Sequence, residues 1–171
     1  SQHPSSAQCV AAGAAYGTLR ATARARGEMA TRGPLRLGIL ASGTGNTTYG
    51  FNNTSGRAIY DATQNPNISY AIFDNGGTDT LDYSGFSQTQ RIDLNQETFS
   101  NVGGRTGNVS IARGTNIENV IGGTGTDTII GNALANLIDA SFGGSDTINA
   151  GAGDDVITFG TQFNSSDVVD G

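Results

Sequence analysis

Residues 122–130 read G-G-T-G-T-D-T-I-I and match the nine-residue pattern G-G-x-G-x-D-x-U-x, where U is a large aliphatic residue. The glycines allow backbone conformations with positive φ and let carbonyl oxygens approach an ion. The aspartate supplies negative charge, and the aliphatic residue points into a core. This spacing therefore predicts a calcium-binding turn that leads into a short β-strand.

The pattern recurs on both sides of residues 122–130 at its own period. Counted from the acidic sixth position, the preceding unit supplies Glu118 and the following unit supplies Asn136 in place of Asp. The later units, one of them lengthened by a residue, supply Gly143, Gly144, Asp146, Gly151, Gly153 and Asp155. The aliphatic eighth positions are Val120, Ile129, Ile138, Ile148 and Ile157.

The energetics of one unit explain why a cation is expected. Each unit buries about one large aliphatic side chain, worth roughly 1.5–3 kcal/mol, whereas ordering its backbone costs on the order of 1–2 kcal/mol per residue. Loops rich in Asp, Asn and bare carbonyls also repel one another. A cation between successive loops removes that repulsion, and its binding energy becomes folding energy. Calcium suits such a flexible shell of oxygens better than magnesium.

Two units should make one full turn of a coil, which predicts an all-β fold, a right-handed parallel β-roll. Equivalent loops then lie two units apart. The expected neighbours are Glu118 with Asn136, Asp127 with Asp146, and Asn136 with Asp155. A lone G-G-x-G-x-D is more often a plain turn, but the aliphatic register kept over five units favours metal binding.

Charge divides the chain near residue 43. Residues 1–42 carry five Arg and one Glu, whereas residues 43–171 carry four Arg and fourteen acids, within a net charge of −6. The acidic part is a natural cation binder and a poor nucleic-acid binder. We therefore expect a basic segment over 1–42, formed by a short helix or poorly ordered, and a calcium-binding domain over 43–171.

The cysteine count, the absence of a long apolar run and the absence of a Sec signal pattern limit the classes of protein that fit the sequence. Cys9 stands alone, so no disulfide can form within the chain. There is no apolar run long enough to suggest membrane insertion, and no stretch has the order of a Sec signal peptide. Between residues 44 and 121 we expect strands over 57–63, 68–73, 91–94 and 108–111, and an abbreviated repeat over 74–81.

Segments both inside and between the repeats resemble one family. Residues 47–52, 74–86, 91–95 and 107–112 together are similar to the C-terminal domain of serralysins, which are secreted bacterial zinc endopeptidases. The resemblance covers roughly residues 43–159. It implies a β-roll that binds several calcium ions, passes transiently through type I secretion machinery, and folds outside the cell, and hence an extracellular location.

The resemblance also implies calcium ligands. The first set is Gly43, Gly45, Thr47, Asp74, Gly76, Gly77 and Asp79. Further sets are Asn116, Glu118, Gly123, Gly125 and Asp127, then Asn132, Leu134 and Asn136, and finally Gly151, Gly153 and Asp155. The repeat pattern adds Gly144 and Asp146. Asn136 and Leu134 stand where the family usually has Asp and Gly.

The zinc chemistry of the family is not expected on this chain. Its motif H-E-x-x-H-x-x-G-x-x-H needs three histidines, and the chain has His3 alone. We therefore predict a non-catalytic module without zinc, which serves a protease catalytic domain. Two alternatives are a surface adhesin or polysaccharide-binding module on the same roll, and a chain that joins a separate catalytic segment to form an active enzyme.

Overall fold

The computed structural model describes residues 44–171, so the expectations for residues 1–42 and for Gly43 lie outside the described part. Within it, none of the helical structure is long and apolar enough to cross a membrane. The strands are β1 (Thr48–Gly50), β2 (Tyr70–Ile72), β3 (Thr80–Asp82), β4 (Arg91–Asp93), β5 (Phe99–Ser100), β6 (Val109–Ile111), β7 (Asn119–Ile121), β8 (Thr128–Ile130), β9 (Leu137–Asp139), β10 (Thr147–Asn149), β11 (Val156–Thr158) and β12 (Val168–Asp170).

These strands form two parallel sheets and a small third sheet. The five-stranded sheet has the order β1-β3-β7-β9-β11, and the four-stranded sheet has the order β12-β10-β8-β4. From β7 to β12 consecutive strands alternate between the two sheets, so one turn of the coil takes two strands. The predicted all-β parallel β-roll is confirmed.

The middle residue of each repeat strand points inward. Val120, Ile129, Ile138 and Ile148 are fully buried, and Ile157 in the last coil is partly buried against the same core. Because side chains alternate across a strand, the neighbours of these residues face outward. The register places Ile138 between Val120 and Ile157 in one sheet. The nine-residue spacing thus produces one continuous aliphatic seam.

The N-terminal end of the roll is closed by tyrosines instead of aliphatic residues. The ring of Tyr60 contacts Tyr49 and Tyr70 edge-on, with centroids 5.0 and 4.9 Å apart. The hydroxyl groups of Tyr70 and Tyr83 lie 3.1 Å apart. Next to them is the third sheet, in which β6 pairs in parallel with β2 and antiparallel with β5. This end therefore has a thicker core than the repeat coils.

One predicted strand is wrong. In residues 57–63 the chain forms a 3₁₀ turn over Ala58–Tyr60 and makes only an isolated bridge between Asp61 and Gly50. The carboxylate of Asp61 accepts hydrogen bonds from the backbone N–H groups of Thr63 and Gln64, and such a local bond competes with strand pairing. The strands expected within 68–73, 91–94 and 108–111 are confirmed.

The buried seam makes a direct prediction about stability. Ile138→Ala should lower the free energy of unfolding by about 2–5 kcal/mol, because it leaves a cavity in a fully buried position. Leu137→Ala changes the neighbouring residue on the same strand, whose side chain is about half exposed, and should cost much less. Urea unfolding in calcium-containing buffer measures both; equal losses would show that the seam does not hold the roll together.

Candidate metal centre on the rims of the roll

The residue immediately before each strand of the two large sheets lines one of two rims. The residues that precede the strands of the five-stranded sheet form what we call the first rim: Thr47, Asp79, Glu118, Asn136 and Asp155. Those that precede the strands of the four-stranded sheet form the second rim: Gln90, Asp127, Asp146 and Asp167. Because adjacent strands are in register, these residues stack directly on one another from coil to coil.

Along the second rim each carboxylate bonds to the coil before it. The backbone N–H of Gln90 donates to Asp127 Oδ1 at 2.9 Å. In the same way the N–H of Asp127 donates to Asp146 Oδ1 at 2.9 Å, and the N–H of Asp146 donates to Asp167 Oδ1 at 2.8 Å. The three aspartates therefore stack as a continuous ladder of like charges.

The first rim repeats this geometry with one interruption. The N–H of Thr47 donates to Asp79 Oδ1, the N–H of Asp79 donates to Glu118 Oε2, and the N–H of Asn136 donates to Asp155 Oδ1, each at 2.8 Å. Between Glu118 and Asn136 the bond is reversed. There the amide Nδ2 of Asn136 donates to the carbonyl oxygen of Glu118 at 3.1 Å.

The glycines of these turns lie against carbonyl oxygens of the neighbouring coil. A Cβ built on Gly144 would come within 2.1 Å of Gly125 O, and one on Gly153 within 2.5 Å of Leu134 O. The same close approach occurs at Gly77 toward Gly45 O and at Gly151 toward Asn132 O. Glycine at these positions therefore keeps carbonyl oxygens in the space between successive turns.

Three of the rim carboxylates are buried without positive partners. Asp79, Asp127 and Asp146 are almost fully inaccessible to solvent, whereas the ion pairs within residues 44–171 are Arg91–Asp93 and Arg113–Glu97. Asp79 Oδ2 is a buried acceptor that receives no hydrogen bond. An unpaired buried acceptor is costly, so this oxygen indicates a position where a positively charged group would be stabilising.

The pKa values of two rim carboxylates also reflect their burial without a positively charged partner. The pKa of Asp79 is raised to about 6, mainly by burial; the nearby charges of Asp74 and Glu118 contribute to the rise, and the hydrogen bond from Thr47 opposes it. Burial also raises the pKa of Asp146 to about 6, with added repulsion from Asp127 and Asp167. On each rim the ionised form of a buried carboxylate is therefore less favourable than it is in water.

The predicted ligands are brought together in most of the turns. Thr47 meets Asp79, Asp127 meets Asp146, and Asn136 meets Asp155 through the rim bonds. The side chain of Asn116 is exposed and accepts a hydrogen bond from Gln96 Nε2 instead. No three Asp, Glu, His or Cys side chains within residues 44–171 cluster closely enough to hold a metal by themselves. A cation on a rim would therefore also take carbonyl and amide oxygens, which is the mixture that calcium binds.

Sequence analysis missed Asp167. Its carboxylate accepts from the N–H of Asp146 and, at 2.7 Å, from the N–H of Asn164, so it occupies the same rim position as Asp127. The signal was hidden because the loop between β11 and β12, residues 159–167, is longer than the loops between the other strands from β7 onward. The pair Asp167 and Val169, spaced as sixth and eighth positions, could have revealed it.

A coil with two strands per turn, an aliphatic seam and rims of carboxylate and carbonyl oxygens defines a parallel β-roll of the nonapeptide-repeat class. Residues 40–170 match the family described as Peptidase M10 serralysin C terminal. The chain belongs to this family.

Individual relatives agree with this assignment. The chain is 56% identical over 95 residues to metallopeptidase AprA of Pseudomonas marginalis, covering 55% of the chain and 20% of that protein. It is 54% identical over 93 residues to serralysin of Photorhabdus laumondii, covering 54% of the chain and 19% of that protein. It is 51% identical over 92 residues to serralysin B of Dickeya chrysanthemi, covering 53% and 19%. The matched region spans about a fifth of the length of these relatives.

The close approach at Gly144 predicts a large steric cost. Gly144→Ala should destabilise the domain by about 2 kcal/mol or more, because φ is +120° and the new Cβ would overlap Gly125 O. Gly107→Ala is the matched control, since Gly107 also has a positive φ of 59° but nothing lies near its Cβ position. Its cost should stay near 1–2 kcal/mol, roughly the strain of a left-handed residue. Thermal unfolding compares the two, and equal shifts would contradict the proximity of the turns.

The raised pKa values predict that acid favours the metal-free fold. Asp79 and Asp146 have pKa values of about 6 when folded and of about 3.9 when unfolded. Between these values the folded state binds more protons, so its stability falls as pH rises from about 4 to about 6. In chelator, circular dichroism should therefore show more folded protein at pH 4.5 than at pH 7.

The matched variants separate this effect from other acid effects. Asp146→Asn should flatten the pH dependence, because its amide keeps an acceptor oxygen for Asp127 N–H but cannot ionise. Asp154→Asn, which changes an exposed carboxylate, should leave the dependence intact. A folded fraction that instead increases with pH in chelator would show that burial does not govern these groups.

Proposed function

We propose that this domain is a calcium-binding β-roll that folds when it binds calcium, and that it serves a serralysin-like secreted metalloprotease. The observation that carries the proposal is the stack of buried carboxylates without positive partners, set beside carbonyl oxygens on both rims. Calcium accepts six to eight such oxygens at flexible geometry, whereas magnesium requires a near-ideal octahedron.

The residues that would hold the ions follow from the rims. On the first rim they are Asp79, Glu118 and Asp155, with the carbonyls of Gly45, Asn132 and Leu134 near the facing glycines. On the second rim they are Asp127 and Asp146 with the carbonyl of Gly125. Bound calcium would supply the positive charge that these groups lack, and its binding would stabilise the folded state.

Coupling of binding to folding would suit a protein that is exported unfolded. Extracellular calcium modules bind with dissociation constants of roughly 10⁻⁴–10⁻³ M, and a site in that range binds appreciably only where calcium is abundant. Such a domain would stay unfolded inside the cell, pass through a type I secretion channel, and order outside. The folded roll would then accompany a catalytic segment of the kind that the names of the metallopeptidase relatives describe.

Calcium titration tests this function. Adding calcium to chelator-treated protein should increase the β signal in circular dichroism and raise the thermal midpoint, and chelator should reverse both. Magnesium at the same concentration should do much less. A spectrum and a midpoint that calcium leaves unchanged would refute the proposal.

Two adjacent aspartates provide a matched pair for the same titration. Asp155→Ala should raise the calcium concentration at half-folding by roughly tenfold or more, since even outer partners of a ligand contribute 10–100-fold to metal affinity. Asp154→Ala removes the same charge next to it, but Asp154 is exposed and only Asp155 bonds to Asn136. Its midpoint should stay near that of the wild type, and equal shifts would assign the effect to net charge alone.

A further inference from the structure

In the turn of residues 74–79, a tyrosine hydroxyl from the core bonds to an aspartate carboxylate. The carboxylate of Asp74 is 1% exposed, and its Oδ2 accepts a 2.5 Å hydrogen bond from the hydroxyl of Tyr49. The N–H of Asp74 donates to Thr115 Oγ1 at 3.0 Å, and the N–H of Gly76 donates to Asp74 Oδ1 at 3.2 Å. The carboxylate is therefore oriented from within the core, by a side chain 25 residues earlier.

Tyr49 is itself fixed in place. Its side chain is completely buried in the middle of β1, paired with Leu81 of β3, and its ring contacts Tyr60 edge-on. A tyrosine hydroxyl that bonds to a carboxylate makes a short, charge-assisted bond. The aromatic core at the N-terminal end of the roll thus determines where the Asp74 oxygens lie.

The buried oxygen without a hydrogen bond belongs to the same turn. It is Oδ2 of Asp79, a residue that is completely inaccessible to solvent. The carboxylates of Asp74 and Asp79 begin and end the same six-residue turn. A cation there would face both, so the direction of the Asp74 carboxylate matters for its binding.

We propose that Tyr49 is a positioning residue that orients Asp74 toward a cation held by residues 74–79. This inference rests on the proposed calcium function. The hydroxyl does not touch the ion; it acts through Asp74, as outer partners of metal ligands do. The aromatic core and the first cation site would then be coupled, so that packing of the tyrosines sets the affinity of that site.

A double-mutant cycle tests the proposal with calcium alone as the probe. Tyr49→Phe should weaken calcium binding at one site by about tenfold or more, measured by calorimetric titration of the whole chain. In the Asp74→Asn background the same Tyr49→Phe change should have little further effect, because non-additivity reports that two residues act together. Additive losses, or no loss from Tyr49→Phe, would overturn the proposal.

A control separates positioning from simple stabilisation. Tyr70→Phe removes another buried tyrosine hydroxyl, one that bonds to Tyr83 and not to a carboxylate. It should lower the thermal midpoint and weaken the apparent calcium affinities of all sites together, without the selective loss at one site. An equally selective loss at one site in Tyr70→Phe would show that Tyr49 acts only through stability. Wild-type protein that binds no calcium would instead refute the proposed function itself.

Discussion

Like charges stacked in register are the constraint on which this fold depends. Adjacent strands of a sheet lie about 4.8 Å apart, and the rim residues Asp127, Asp146 and Asp167 stack at that spacing from coil to coil. Two ionised groups about 5 Å apart repel by roughly 3 kcal/mol at an effective dielectric of about 20. That is as large as the 1.5–3 kcal/mol gained when one aliphatic residue of the seam is buried. The stability gained by burying the seam therefore depends on whether the charges on the rims are neutralised.

The two rims differ in how much repulsion between adjacent acids they contain. The first rim has Thr47 and Asn136 among its five positions, so Asp79 and Glu118 are its only adjacent acids. At Asn136 an amide N–H reaches the carbonyl of Glu118, which replaces repulsion between oxygens with a hydrogen bond. The second rim has three acids in succession with no such interruption. It should therefore carry more of the electrostatic cost when no cation is bound.

The sequence predicted the repeat strands and also the strands within 68–73, 91–94 and 108–111, but it missed features that depend on an irregular loop, a local turn or a tertiary contact. Ile129, Ile138 and Ile148 could be assigned to the seam because an aliphatic residue recurs there after nine and then ten residues, each time at the middle of a short strand. The coil that ends at Val169 was missed because its longer loop breaks that spacing. Residues 57–63 were expected to form a strand because they precede the turn at 64–67, but the side chain of Asp61 closes a local turn. The contact between Tyr49 and Asp74 has no local signature, because tertiary packing alone brings the two residues together.

The ends of the roll differ in what stabilises them. Tyr49, Tyr83 and Leu81 are fully buried at the N-terminal end, whereas in the last coil Ile157 is only partly buried and Val169 is 46% exposed. Apolar burial therefore contributes most where the tyrosines pack and least at β11 and β12. On the second rim the adjacent acids continue as far as Asp167, whereas on the first rim Asn136 separates Asp155 from Glu118. Packing of the tyrosines is therefore a main stabilising contribution in the first coils, and the electrostatic cost is concentrated on the second rim.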